Sequence, residues 1–290
     1  SRAPDPKAID RYAVVGHPIA HSRSPQIHAA FAAQTGQRLA YDRLLAPLDG
    51  FAATVADFRA QGGRGLNVTV PFKLEAAALA DTLTPRAAAA GAVNTLVFSD
   101  EGVLGDNTDG VGLVRDLEGR LACPLAGRRV LLLGAGGAAR GVVLPLLEAG
   151  VASIGVFNRT RDRARELVAA FGQAPRTSAL AALDDCPSSG IDLIINATSA
   201  GLHDSAPAVP HACLAGAQLA YDMVYGARPT AFLREAGEAG CARVSDGLGM
   251  LVEQAAESFR LWRGVLPDTA PVYARLRAEI DGTPATTPAR

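Results

Sequence analysis

The segment VLLLGAGGAAR at residues 130–140 carries four apolar residues into a glycine-rich turn that small helix-forming residues follow. It reads as strand, tight turn and helix. Gly134, Gly136 and Ala139 fit the spacing G-x-G-x-x-G/A: the first small residue makes the turn, the second admits a pyrophosphate against the backbone, and the third lets helix and strand pack closely. The unpaired N–H groups and positive dipole end of such a helix favour a diphosphate there. Gly134, Ala135, Gly136, Gly137 and Ala138 are therefore the candidate cofactor turn. The helix is expected to run to Gly150, and a second apolar strand at 153–157 delivers Asn158, Arg159 and Thr160 to the same edge.

That strand end selects the dinucleotide. In this unit an acid about 20 residues on holds the ribose 2′-OH of NAD, whereas an arginine accommodates a 2′-phosphate. Residues 158–163 read NRTRDR, with no acid before Asp162, so NADP is the expected cofactor. Arg159, at the strand end, is the strongest candidate, and Asn158, Thr160 and Arg163 join it. Some of the arginines belong instead to the solvated face of a helix expected over 161–171.

The chain has 290 residues, of which 49% are hydrophobic and 20% charged, a balance that suits two globular domains. Its net charge of −1 offers no footprint for nucleic acid. The polar, proline-broken start SRAPDPKAID does not resemble a signal peptide, and no apolar stretch reaches transmembrane length. A soluble, cytoplasmic protein is expected, with no membrane partner. Cys123, Cys186, Cys213 and Cys241 lack C-x-x-C spacing, so neither zinc nor disulfides are expected. Lys7 and Lys73 are the only lysines in an arginine-rich chain, which draws attention to the one inside a motif.

From the start, a strand at 11–15 breaks at Gly16-His17-Pro18, and a helix is expected over 25–33 with Ser24 as N-cap and Pro25 at its first position. Ser22 and Ser24 also bring two hydroxyls to a helix start, where a small anion such as a carboxylate can be gripped. A strand at 40–45, a helix at 49–61 and a strand at 65–68 form a βαβ progression and imply a parallel sheet. Thr69 and Lys73, in NVTVPFK, fall beyond the carboxyl end of that strand, where ligands collect in open α/β sheets. Unlike arginine, a lysine there can give up its proton near neutral pH. A hairpin over 93–104 leads into GDNTDG, in which Asp109 reads as a helix cap as readily as a site residue. Further buried strands at 192–196 and 219–223 extend a doubly wound sheet, and a helix over 251–262 carries Gln254 at its start.

Taken together, SRSPQIH (22–28), NVTVPFK (67–73), AGAVNT (90–95), GDNTDG (105–110), GAGGAAR (134–140), NRT (158–160), INATSAG (195–201), YDMVY (221–225) and DGLGMLVEQAA (246–256) closely resemble the shikimate dehydrogenase family. The match covers nearly the whole chain in order. It implies NADPH-dependent, reversible reduction of 3-dehydroshikimate to shikimate, a step toward chorismate and the aromatic amino acids. By that resemblance Ser22, Ser24 and Tyr225 hold the substrate carboxylate, and Thr69, Lys73, Asn94, Asp109 and Gln254 bind the ring hydroxyls. Lys73 and Asp109 are the implied catalytic pair. Met223 and Gly247 lie near the nicotinamide, and no metal takes part. The implied fold is two α/β domains, an N-terminal substrate domain and a Rossmann-type, doubly wound NADP-binding domain. The expected boundaries are 1–108 completed by helices in 248–281, 109–247 for NADP, and a disordered tail at 282–290. A dual quinate/shikimate dehydrogenase and a non-catalytic NADP-binding sensor are the alternatives, and monomer and homodimer both stay open.

Overall fold

The computed structural model describes residues 9–172 and 176–282, so the expected tail lies, from residue 283 on, outside the described residues. The chain divides into two compact units. One runs to Thr108 and includes Gln254–Val272; the other comprises Asp109–Glu253 and the chain from Tyr273. The C-terminal division therefore differs from the expected one, which gave 248–281 to the first domain. Specific contacts hold these ends in the second unit. The ring of Tyr273 lies 4.5 Å from the Arg120 guanidinium, Arg277 bonds Asp246, and the Tyr221 hydroxyl accepts the Met250 N–H at 3.3 Å.

The first unit is built on β1 (Asp10–Gly16), β2 (Leu39–Leu45), β3 (Gly63–Val68), β4 (Thr82–Leu83), β5 (Thr95–Ser99) and β6 (Gly102–Asp106), in the order β2-β1-β3-β5-β6-β4. β1 pairs in parallel with both β2 and β3, as the βαβ pattern predicts, but β5 runs antiparallel to β3 and to β6, so the sheet is mixed. Alternation along β1 sets its two faces. Ala13 and Val15 enter a core with Leu66, Val68, Phe51 and Phe72, whereas Tyr12 and Val14 pack with Ile19 and Tyr41.

On that second face His28 is fully buried and stacks on Tyr41, with ring centroids 4.2 Å apart and planes 4° from parallel. Burial pushes its pKa down from 6.5 to about 3, so the native imidazole stays neutral where the unfolded one takes up a proton. Between those two values the unfolded state binds more protons, and stability falls as pH falls. From pH 6.5 to 5 this group costs about 2 kcal/mol. His28→Phe is expected to lose correspondingly less stability than the parent over that interval, measured by urea denaturation at both pH values.

The second unit is built on β7 (Arg129–Leu133), β8 (Ser153–Phe157), β9 (Leu180–Leu183), β10 (Leu193–Asn196), β11 (Leu219–Asp222) and β12 (Val244–Ser245). The order is β12-β11-β10-β7-β8-β9, and every pair is parallel. This is the doubly wound arrangement, with its switch point between β7 and β10. Residues 130–133 of β7 are wholly buried, as expected of a central parallel strand covered on both faces. Among the described residues, no helix is long and apolar enough to cross a membrane.

Candidate functional site

In the second unit β7 ends at Leu133 and the chain reverses through Gly134 into the helix Gly137–Glu148. Gly134 has φ +102°, in the region that favours glycine, and its N–H donates to the Phe157 carbonyl at the end of β8 (2.8 Å). At Gly136 and Gly137 a side-chain carbon would meet only open space, and Ala139 is fully buried. The open space is a cleft of about 900 Å³. Gly134 to Ala138 form its floor, and Asn158, Arg159, Thr160 and Arg163 line it as well.

The structure divides the arginines of this loop into two pairs. Arg161 pairs with Asp185 at 3.2 Å, and Arg165 pairs with Asp184 at 2.6 Å and Asp162 at 3.1 Å, all on the surface. Arg159 and Arg163 line the cleft instead, and among the described residues no carboxylate lies in ion-pair range of either. An open cradle over a helix start, with two uncompensated guanidinium groups on one wall, fits a dinucleotide carrying an extra phosphate.

The cleft is also lined by the loop after β10, with Thr198, Ser199, Ala200, His203 and Ser205. The parallel pattern predicts a loop there, because every strand of this sheet sends its following loop to the edge of the glycine turn, but it does not single out these residues for the cofactor set. Met223 and Gly247 do not line the cleft, but they lie together: the Met223 N–H donates to the Asn196 carbonyl (3.0 Å), and the Gly247 N–H to the Val224 carbonyl (3.3 Å). Asp222, wholly buried, fixes this loop by accepting from Thr230 (2.6 Å), Asn196 (3.2 Å) and the Val224 N–H (3.0 Å). Its burial pushes the carboxyl pKa up.

In the first unit the candidate residues converge beyond the carboxyl ends of β1 and β3. The Thr69 N–H donates to Val15, the Val68 N–H to the Asn94 carbonyl, and the Val93 N–H to the Lys73 carbonyl, which ties three separate segments together. Asn94 donates to the Gln254 side chain (3.2 Å) and to Thr108 (2.8 Å), and accepts from the Thr108 N–H (2.8 Å). The helix Leu248–Arg263 starts earlier than expected, which puts Gln254 in its second turn rather than at its start. Behind these groups Asn67 donates to the Asn94 carbonyl, Thr95 and Ser258 and accepts from Tyr41, a satisfied buried network that fixes Asn94.

Ser24 does not cap its helix. It is the first residue of Ser24–Thr35, with Pro25 second; Arg23 holds the N-cap position without a side-chain cap bond, and Ser22 Oγ accepts the Ser24 N–H at 3.3 Å in a local turn. Asp109 likewise opens the helix Asp109–Arg115, is buried, and with Tyr225 belongs to the second unit. The neighbouring Gly110 meets the Gly141 carbonyl so closely that no larger residue fits, which seats this helix on the one that follows the glycine turn. All four cysteines are free thiols.

A parallel sheet ordered in this way, with a phosphate-accepting turn at its switch point, defines a Rossmann-type dinucleotide-binding protein. Family models described as shikimate dehydrogenase substrate binding domain, shikimate/quinate 5-dehydrogenase and shikimate 5′-dehydrogenase C-terminal domain match residues 14–96, 117–203 and 247–277. The chain is 59% identical to a shikimate dehydrogenase (NADP(+)) of Aromatoleum aromaticum, across 94% of this chain and 99% of the relative. Among solved structures, an Ael1 enzyme from Pseudomonas putida is 47% identical with a TM-score of 0.87, covering 92% of this chain and 98% of its own. A shikimate 5-dehydrogenase from Thermus thermophilus, in complex with NADP(H) and shikimate, is 38% identical with a TM-score of 0.80, covering 93% and 99%. The chain belongs to the shikimate dehydrogenase family.

Proposed function

We propose that this protein is an NADP-dependent shikimate dehydrogenase that reduces 3-dehydroshikimate reversibly to shikimate, and that its compartment is the cytoplasm. The observation that carries the reading is 59% identity to an NADP(+)-dependent shikimate dehydrogenase over nearly the full length of both chains. The cleft supports it, because its residues suit NADP: the turn Gly134 to Ala138 would hold the pyrophosphate, and Arg159 and Arg163 the 2′-phosphate. When bound, the cofactor supplies or accepts the hydride.

The remaining chemistry falls to side chains. Ser22, Ser24 and Tyr225 bind the carboxylate by donating hydroxyl protons. Thr69, Asn94 and Gln254 orient the ring hydroxyls, and the Asn94–Gln254 hydrogen bond keeps those two amides in a fixed relation. Lys73 Nζ holds the proton that the substrate oxygen takes up on reduction and receives it back on oxidation. As an ammonium it also stabilises negative charge on that oxygen. Asp109 orients the lysine and the substrate hydroxyl. Met223 and Gly247, on one packed loop pair, border the nicotinamide side.

The test follows absorbance of the reduced nicotinamide with shikimate, quinate or no substrate, and with NADP⁺ or NAD⁺. Strong turnover only with shikimate and NADP⁺ is expected. Comparable turnover of quinate would move the protein to the dual-substrate class, a reading that the shikimate/quinate family match keeps in view. NADP binding without turnover of either acid would make it a sensor.

A further inference from the structure

We infer that Arg43 is a positioning residue of the carboxylate subsite, fixing Ser22 through its backbone carbonyl and setting an uncompensated positive charge beside the two serine hydroxyls. The inference rests on the functional reading above.

The argument begins with strand alternation. Tyr41 and Arg43, two apart on β2, project to the same face. Tyr41 meets His28 of the helix Ser24–Thr35, with ring centroids 4.2 Å apart. Arg43, further along the strand, meets the entry to that helix, where its Nε and Nη2 donate to the Ser22 carbonyl at 3.0 and 2.6 Å. β2 thus grips both ends of the SRSPQIH segment.

Ser22 is thereby held at three points. Its N–H donates to Ile19 (3.0 Å), its carbonyl accepts both Arg43 bonds, and its Oγ accepts the Ser24 N–H (3.3 Å). That bond engages the oxygen only as an acceptor and leaves the Ser22 O–H proton available to donate. A carboxylate needs that polarity.

The charge points the same way. A guanidinium fork ordinarily closes on the two oxygens of a carboxylate. Here both N–H groups end on one neutral carbonyl oxygen, and among the described residues no acid pairs with Arg43. The first turn of the adjoining helix contains no acidic residue, so its dipole adds positive potential instead of being offset. Arg43 is itself exposed, so its role is not that of a core strut, and its removal leaves no buried group without a partner.

Steady-state kinetics on Arg43→Ala and Arg43→Lys, with NADP⁺ saturating and with shikimate or its methyl ester as substrate, test this. Arg43→Ala is expected to raise KM for shikimate about five- to tenfold, with kcat within about twofold. KM for the uncharged ester rises less, because the ester loses only the positioning of Ser22 and not the charge, KM for NADP⁺ stays unchanged, and Arg43→Lys recovers part of the loss. Added salt weakens the parent on shikimate more than it weakens the alanine variant. An unchanged KM for shikimate in Arg43→Ala overturns the inference alone, as does equal loss on acid and ester, which marks general loosening of the helix start. Failure of the parent protein to oxidise shikimate overturns the functional reading and this inference with it.

Discussion

Replacing Lys73 with alanine is expected to lower kcat for shikimate oxidation by about 10²–10⁴-fold, the usual worth of a positioned acid or base, while KM moves little. The lysine opens the helix Lys73–Leu79, and its carbonyl accepts the Val93 N–H at 2.9 Å, so its backbone is clamped to the segment that carries Asn94. Alanine leaves that clamp in place, because it is a main-chain bond, and helix propensity favours the substitution. The loss is therefore chemical and not a failure of folding. Lys73→Arg separates charge from proton transfer: it retains a cation but cannot release a proton near neutral pH, so it is expected to stay nearly as slow as alanine. Single-turnover rates for the three proteins, with shikimate and NADP⁺ saturating, decide the matter. A near-normal rate in Lys73→Ala would remove this residue from the chemistry.

Local pattern carried most of the framework, because the determinants of strand, turn and helix lie within a few residues of one another. The 130–140 segment forms the strand, turn and helix its sequence predicts, since Gly134 alone can take the positive φ and the buried strand tolerates nothing polar. What local pattern does not carry is set by distant partners. Asn94 and Gln254 meet across 160 positions, and only the family resemblance, not any local period, puts them in one site. Asp106 is a similar case. It reads as part of a polar turn but lies buried, held by Arg86 at 2.6 and 2.7 Å and by Thr84 at 2.6 Å. Thr84 serves twice, since its side chain also caps the helix Pro85–Ala90 by accepting the Ala87 N–H. The end of the chain misled for the same reason. An amphipathic helix at 270–280 fits either unit by pattern, and only the contacts of Tyr273 and Arg277 with Arg120 and Asp246 assign it to the second.

The arginine loop shows the limit most sharply and yields the other large prediction. Residues 158–165 contain four arginines, and the sequence favours Arg159 at the strand end, with Arg163 beside it, over the arginines of the solvated helix face only by position. The structure removes two by pairing Arg161 and Arg165 with aspartates of the loop that follows β9. Those exposed pairs add little stability, about 0–1 kcal/mol each, but they neutralise the two guanidinium groups that do not line the cleft. Arg159 and Arg163 keep their charge and face the cavity. Arg159→Ala and Arg163→Ala are each expected to raise KM for NADP⁺ about 10- to 100-fold, the worth of a charge-assisted bond to phosphate. KM for NAD⁺, which lacks that phosphate, should change little, and the double variant should lose most of the preference between the two. Arg161→Ala serves as the contrast, with an expected change below about threefold because its partner is an aspartate and not the ligand. Equal losses with NADP⁺ and NAD⁺ would mean that the two cleft arginines hold the loop itself, and equal effects at Arg161 and Arg159 would mean that the loop attracts the phosphate as a diffuse charge. Binding of NADP⁺ and NAD⁺ by calorimetry, without substrate, reads these differences directly.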